Sequence, residues 1–241
     1  VAQNTEGLPL QTPPFTLNLP LEETTIPETL KQGGYTTGFF GKWHVSAHHE
    51  RYLGWSPTHG PAQQGFDVAV EDFGGHPYNE AVQRDPAAYA PGAYPPDSMT
   101  DRAIGFIQDH ADSGPFYLQV CHFYVHTPVV SQAAWITEKY TAKLNPGAPQ
   151  RHAEYAAFVE ILDHQVGRLL DAIDAAGLRE NTIVVFTSDN GGHPEYTEHA
   201  PLRGHKWTLY EGGVRVPMIV RWPGAVPAAT VCDSPVIGTD L

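Results

Sequence analysis

Basic residues are scarce in this chain. Fourteen lysines and arginines stand against 27 aspartates and glutamates, for a formal net charge of −13 over 241 residues. Nucleic acid, which is bound through a basic face, is therefore not an expected partner. An acidic surface is compatible with cation binding, or is simply solvated. Long apolar runs are missing as well: no stretch approaches the roughly 20 apolar residues that cross a bilayer, so no membrane span is expected. Cysteine is nearly absent. Cys121 lies in an apolar run and Cys232 close to the C-terminal end. Nothing in the sequence supports a disulfide between them, and two separate thiols are the expectation. The chain opens at Val1, with neither a start methionine nor a signal peptide in view, and is read as either processed or part of something longer.

What is present is an ordinary apolar content of 41%, enough for one sizeable core, as one large domain or a domain with extensions. Residues 22–32 read as a helix closed by Gly33-Gly34, and Tyr35–Phe40 as a strand. From Gly54 to Pro96 the chain is rich in Gly, Pro, His and aromatics without a clear period, which predicts a long folded loop region of the kind often used for function. A helix is expected over Asp97–Ala111, with Met99, Ala103, Phe106 and Ile107 on one face, and a strand over Phe116–Val125. From Ala153 to Ala176, apolar residues at three- and four-residue spacing (Tyr155, Phe158, Val159, Leu162, Val166, Leu169, Leu170, Ile173) form one broad stripe, the mark of a helix packed on a core. Gly177 supplies its stop. Buried strands are expected at Thr182–Ser188 and at Val216–Arg221. Strand, helix and strand with short links are the grammar of an α/β fold with a mostly parallel sheet covered by helices on both faces. The four strands are expected side by side in one sheet.

In such sheets the ligand crevice lies beyond the carboxyl ends of the strands. Lys42 and His44 follow the first strand, His126 the second, and Asp189 and Asn190 the third. Asp189 and Asn190 offer hard oxygen ligands suited to Ca²⁺ or Mg²⁺, although Asp-Asn-Gly-Gly is also a turn sequence. His126, before Thr127-Pro128, reads equally as a turn histidine. Lys206 sits among polar residues and glycines, where a lysine is usually a surface charge. Taken together, Lys42, His44, His126 and Lys206 form a cationic, proton-donating set facing two oxygen ligands, expected to meet at one end of the sheet. Phosphoryl and sulfuryl transfer need that combination. The stretches FGGHPYN (Phe73–Asn79) and GGHPEYTEH (Gly191–His199) are expected to rim the pocket, or else to be ordinary packed loops.

GGYTTGFFGKWH, HTP, FVEILDHQVGRLLDAIDAAGL, TIVVFTSDNGG and LRGHKWTLYEGGVRVPMIVRWPG resemble the type I sulfatases of the alkaline phosphatase superfamily, in family order and over about residues 22–241. The resemblance implies an alkaline-phosphatase-like sheet sandwiched by helices. It implies sulfate-ester hydrolysis assisted by Ca²⁺ and a formylglycine nucleophile. Lys42 is similar to the sulfate-binding lysine and His44 to the histidine beside the nucleophile. Asp189 and Asn190 resemble two calcium ligands, and His126 and Lys206 the pair that contacts the ester, with His126 as leaving-group acid. The implied substrates are sulfated carbohydrates or aryl sulfates, and the implied location is periplasmic or secreted.

Two family features are missing. The C/S-x-P-S-R motif, whose first residue becomes formylglycine, is not found, and neither Cys121 nor Cys232 stands in such a motif. The early Asp-Asp pair that completes the calcium site is also missing. Residues 1–241 are therefore expected to be a partial sulfatase catalytic domain, incomplete in its sheet and its metal site and inactive alone. His205 and Trp207 stand where the family commonly has glycine, which narrows the pocket. Two other readings are a phosphodiesterase or phosphonate hydrolase of the same superfamily, and a non-catalytic calcium- or glycan-binding remnant.

Overall fold

A computed structural model describes residues 7, 9, 16–79 and 89–241. They divide into two units: Val1–Glu71 with Gly114–Cys121, and Asp72–Ser113 with His122–Leu241.

The first unit holds α1 (Ile26–Gln32) and a parallel sheet of β1 (Thr36–Gly41), β2 (Val68–Val70) and β3 (Phe116–Cys121), in the order β2-β1-β3. A capping box starts α1: the Thr25 hydroxyl accepts from the Glu28 N–H, and the Glu28 carboxylate accepts from the Thr25 N–H at 2.8 Å. Gly34, in the left-handed region at φ +83°, turns the chain out of the helix. The central strand β1 is buried almost throughout, as its unbroken run TTGFFG requires of a strand covered on both faces. Phe39 is fully buried; Trp43 and Phe66 meet its ring at 5.3 and 5.1 Å. Asp67 fixes the β1–β2 side, accepting from the Thr37 N–H at 3.0 Å and pairing with Lys31 at 2.6 Å.

The second unit is helical with a two-stranded ribbon. It contains α2 (Ser98–His110), α3 (Ala134–Thr141), α4 (Gln150–Ala175), β4 (Val184–Thr187), α5 (Glu211–Val214) and β5 (Met218–Arg221). Asp97, buried, caps α2 by accepting from the Thr100 N–H at 2.7 Å. The face expected of α2 is the one buried: Met99, Ala103, Phe106 and Ile107. The core is a cluster of Tyr124, Val129, Ala133, Ile136, Ala157, Phe158 and Ile161. Arg221 of β5 donates to Asp174 of α4 at 2.8 Å.

The helices and strands match the sequence reading closely, with three differences. The strand from Phe116 stops at Cys121, because Phe123 and Tyr124 turn into the helical core and the His126 N–H closes a turn on the Phe123 carbonyl at 2.8 Å. Among the described residues the strands form two sheets rather than one: β4 pairs antiparallel with β5. A two-strand ribbon cannot bury both faces, so β4 alternates between half-buried and exposed, and Ile183, Val185, Ile219 and Val220 are exposed. Finally, α3, α5 and β2 lie where no element was expected, α5 being a four-residue helical turn that holds Gly212 and Gly213. β2 is only three residues long within a Gly- and Pro-rich stretch, and α3 buries a single side chain, Ile136, too little to leave a readable stripe. Part of the expected loop, residues 80–88, lies outside the described residues.

Candidate active site

Lys42 leaves β1 with its N–H donated to the Cys121 carbonyl at 2.8 Å. The next residue, Trp43, turns into the core and donates its indole N–H to the His59 carbonyl at 3.0 Å, while Lys42 is half-buried and His44 exposed. That alternation keeps Lys42 and His44 off the core side, as their spacing suggested. The His44 ring lies 5.0 Å from His48 and 6.5 Å from Tyr52. Both residues belong to the first unit.

The remaining candidates belong to the second unit. His126 sits on the turn after Tyr124 and Val125. Its Nδ1 lies 2.7 Å from the Thr127 carbonyl oxygen and 3.1 Å from the Tyr78 hydroxyl. A carbonyl only accepts, so Nδ1 carries the proton. Behind it, His76 is completely buried, with Nε2 2.9 Å from the His126 carbonyl oxygen and Nδ1 accepting from the Tyr78 N–H at 3.2 Å. Phe73 to His76 are thus buried rather than lining a rim. FGGHPYN is packed because its polar groups are spent on anchors: the Gly74 N–H goes to Asp72, the Gly75 N–H to Asp97, and the Asn79 amide to the Gly74 carbonyl.

After β4 the chain turns through Asp189, Asn190 and Gly191. Asp189 is exposed; Asn190 is half-buried and donates its Nδ2 to the Gly191 carbonyl at 3.0 Å. The Gly191 N–H donates to the Gly213 carbonyl at 2.9 Å, and a Cβ on Gly191 would lie 1.9 Å from the Gly212 oxygen, so only glycine fits. One residue on, the Gly192 carbonyl accepts the Lys206 N–H at 3.0 Å. Backbone bonds therefore bring Lys206 beside the Asp189-Asn190 turn. Tyr196, from the same stretch, packs into the apolar cluster that holds Tyr124 and Val125, so the His126 turn and residues 191–199 rest on one core.

Beside Lys206 stand three rings. Trp207 is 59% exposed and adopts φ +76°, a left-handed backbone that a bulky side chain rarely takes. The His193 ring lies 4.9 Å from it at 76°, and His205 lies at 6.4 Å. Burial holds the His193 ring below its usual protonation range; the charges of Lys206 and His205 push the same way, against Glu195.

Asp189 and the Asn190 oxygen fit a hard cation in kind, because the Asn190 nitrogen is engaged with Gly191 and its oxygen can accept. They do not fit in number. Among the described residues, no group of three or more His, Cys, Asp or Glu side chains could hold a metal. Sequence reasoning missed His76 and Tyr78 as partners of His126. The histidine and tyrosine of FGGHPYN were visible, but their partner lies about 50 residues away in sequence.

Comparison with known proteins shows the family. A family model described as Sulfatase matches residues 3–237. A sulfatase of Formosa agariphila is 33% identical, the match covering 85% of this chain and 45% of the relative. Arylsulfatase J of Mus musculus is 30% identical over 92% of this chain and 38% of its own length. Among solved structures, Ps i-CgsB in complex with k-i-k-neocarrahexaose superposes with a TM-score of 0.65 at 27% identity, over 88% of this chain and 50% of that one. The chain thus spans less than half the length of these curated relatives.

Proposed function

Since this chain belongs to the sulfatase family, of alkaline-phosphatase-like fold, we propose that residues 1–241 are part of the catalytic domain of a sulfuric ester hydrolase acting on sulfated carbohydrates. The observation that carries the reading is the bond from the Lys206 N–H to the Gly192 carbonyl. It sets the backbone of a lysine beside the turn that carries Asp189 and Asn190, and a cation together with hard oxygen donors is the pairing that binding a sulfate ester calls for.

In this reading Lys206 neutralises ester sulfate oxygens; a sulfate-binding role for Lys42, at the end of β1, rests on the family resemblance alone. His126 protonates the leaving alcohol. Because its Nδ1 proton is held by the Thr127 carbonyl, the acid is the imidazolium, giving its Nε2 proton and returning to the Nδ1–H form. His44 assists at the nucleophile side. Asp189 and Asn190 would be this chain's share of the ligands to a calcium ion, which would supply positive charge for the sulfate. The nucleophile implied by the resemblance is a formylglycine, whose precursor is not among these residues.

The sugar class is supported by Trp207, an exposed aromatic face beside Lys206, and by the sugar ligand named for the similar Ps i-CgsB. A sugar sulfate offers an apolar ring face and an anion together. Among the described residues no helix is long and apolar enough to cross a membrane; a secreted or periplasmic location is proposed by family analogy.

The test is turnover of an aryl sulfate and a sulfated oligosaccharide by the complete protein carrying this chain. Lys206→Ala should lower kcat/KM for both by about 100-fold or more, the scale of losing one charge-stabilising group. Undiminished turnover in that variant, or a preference for phosphodiesters over sulfate esters, overturns the reading.

A further inference from the structure

We propose that His76 and Tyr78 are positioning residues for His126, one holding its backbone and the other its ring. The inference rests on the reading of His126 as the leaving-group acid.

The two hydrogen bonds of His76 assign its tautomer. Its Nε2 faces the His126 carbonyl, an acceptor, and its Nδ1 faces the Tyr78 N–H, a donor. Only the neutral Nε2–H form satisfies both. A fully buried histidine whose two nitrogens meet partners of opposite kind is a rigid strut between residue 126 and residue 78. It is braced by Phe123, Tyr124 and Phe158, each 5.9 Å from its ring.

Tyr78 completes the clamp. His76 lies 4.6 Å from the Tyr78 ring, Phe123 5.9 Å and Phe73 6.1 Å, and together they set the ring's plane. Its hydroxyl then reaches His126 Nδ1 at 3.1 Å. Two oxygens, from Thr127 and Tyr78, thus share the Nδ1–H, which fixes the imidazole's rotation and reserves Nε2 for the second proton. The loop below cannot give way easily. The Gly75 N–H is held by Asp97 at 2.8 Å and its carbonyl by the Tyr124 hydroxyl at 2.9 Å, and a Cβ on Gly75 would meet that hydroxyl at 2.7 Å. Neither His76 nor Tyr78 need touch the ester; they act through His126.

The experiment uses the complete protein with two sulfate esters, one with a good aryl leaving group and one sugar alcohol. Tyr78→Phe keeps the ring and removes the hydroxyl. Loss of one hydrogen bond to the acid should lower kcat on the sugar sulfate about fivefold to tenfold, with KM unchanged and the aryl sulfate within about twofold. ¹⁵N NMR of His126 should show the Nδ1–H tautomer in the wild type; Tyr78→Phe should keep it, because the Thr127 carbonyl still accepts, but should shift the Nδ1–H resonance as one of its two oxygens is lost. His76→Gln, which still offers an N–H to the 126 carbonyl, should retain more activity than His76→Ala. If His126→Ala impairs the sugar sulfate while Tyr78→Phe and His76→Gln leave turnover, pH profile and the Nδ1–H resonance at wild-type values, the positioning roles are wrong and the acid stands. If His126→Ala is itself without effect on the sugar sulfate, the reading of the acid has failed, and the proposal with it.

Discussion

The rings of His193 and Trp207 meet nearly at right angles, 4.9 Å apart at 76°, a contact that holds a bulky, exposed side chain in place on a left-handed backbone. Such strain persists where the surroundings enforce it, and it commonly marks a ligand site. Trp207→Gly separates the two effects. Glycine tolerates φ +76° at no steric cost, so the variant should gain about 1 kcal/mol in stability. Affinity for a sulfated oligosaccharide should fall about tenfold, roughly what a partly covered aromatic face is worth, while affinity for inorganic sulfate stays unchanged. Calorimetry and a urea melt on one preparation read both, and an equal loss for sulfate and oligosaccharide would refute a stacking role.

Calcium gives a second expectation. Ca²⁺ takes six to eight oxygens, and the described residues offer two side chains of the right kind at one turn. The 241-residue chain should bind Ca²⁺ weakly, and Asp189→Ala should remove what binding there is. Tight, stoichiometric binding that survives Asp189→Ala, measured by calorimetry, would put the metal elsewhere.

Asp72 should make the FGGHPYN anchor acid-sensitive. Burial alone would raise its carboxyl, but the Gly74 N–H, Arg102 and Ser98 together outweigh that and hold it below the ordinary 3.8. The folded state therefore binds the proton less readily than the unfolded one. The stabilisation is complete above the ordinary value and is lost as the pH falls below 3.8 toward the depressed one. Asp72→Asn should cost roughly 2 kcal/mol at pH 7, as a buried hydrogen bond to a charged group does, and should flatten the slope of stability against pH in that acid window. Denaturant midpoints for the two proteins between pH 5 and 2 (on the order of one point per half unit, spanning the carboxylate range) test the sign directly.

His122 carries the opposite liability. Both ring nitrogens are buried without a hydrogen-bond partner among the described residues. Burial pushes its protonation below the usual 6.5, against the charge of Asp97, which favours the proton. The unfolded chain takes up the proton first as the pH falls below 6.5, so stability drops with falling pH from there toward the depressed folded value. His122→Phe fills the same space with an apolar ring. It should raise stability by about 1 kcal/mol at pH 7, by sparing two unsatisfied polar atoms, and should abolish the slope below 6.5. A destabilised His122→Phe would mean that the ring makes a polar contact essential to the fold.

Sequence alone determined the parts of this protein that local rules govern. The helix α4, the apolar face of α2 and the Gly33-Gly34 stop were readable because periodicity and backbone freedom act within a few residues. The α4 stripe itself was only partly right: Phe158 and Ile173 are buried, but Val159 is exposed, and Ala157, Ile161 and Gln165 are buried in its place. Motif order identified the sulfatase resemblance, and the Asp189-Asn190-Gly191 turn and Lys206 came with it. Tertiary structure decided what depends on distant partners. Among the described residues β4 pairs with β5 and leaves Val185 exposed, because strand type cannot say which neighbour will cover a face. FGGHPYN became a buried brace rather than a pocket rim because His126, 50 residues from His76, offers a carbonyl where His76 has a proton. A side chain's propensity is written where it stands, whereas its hydrogen-bond partner is chosen by the fold.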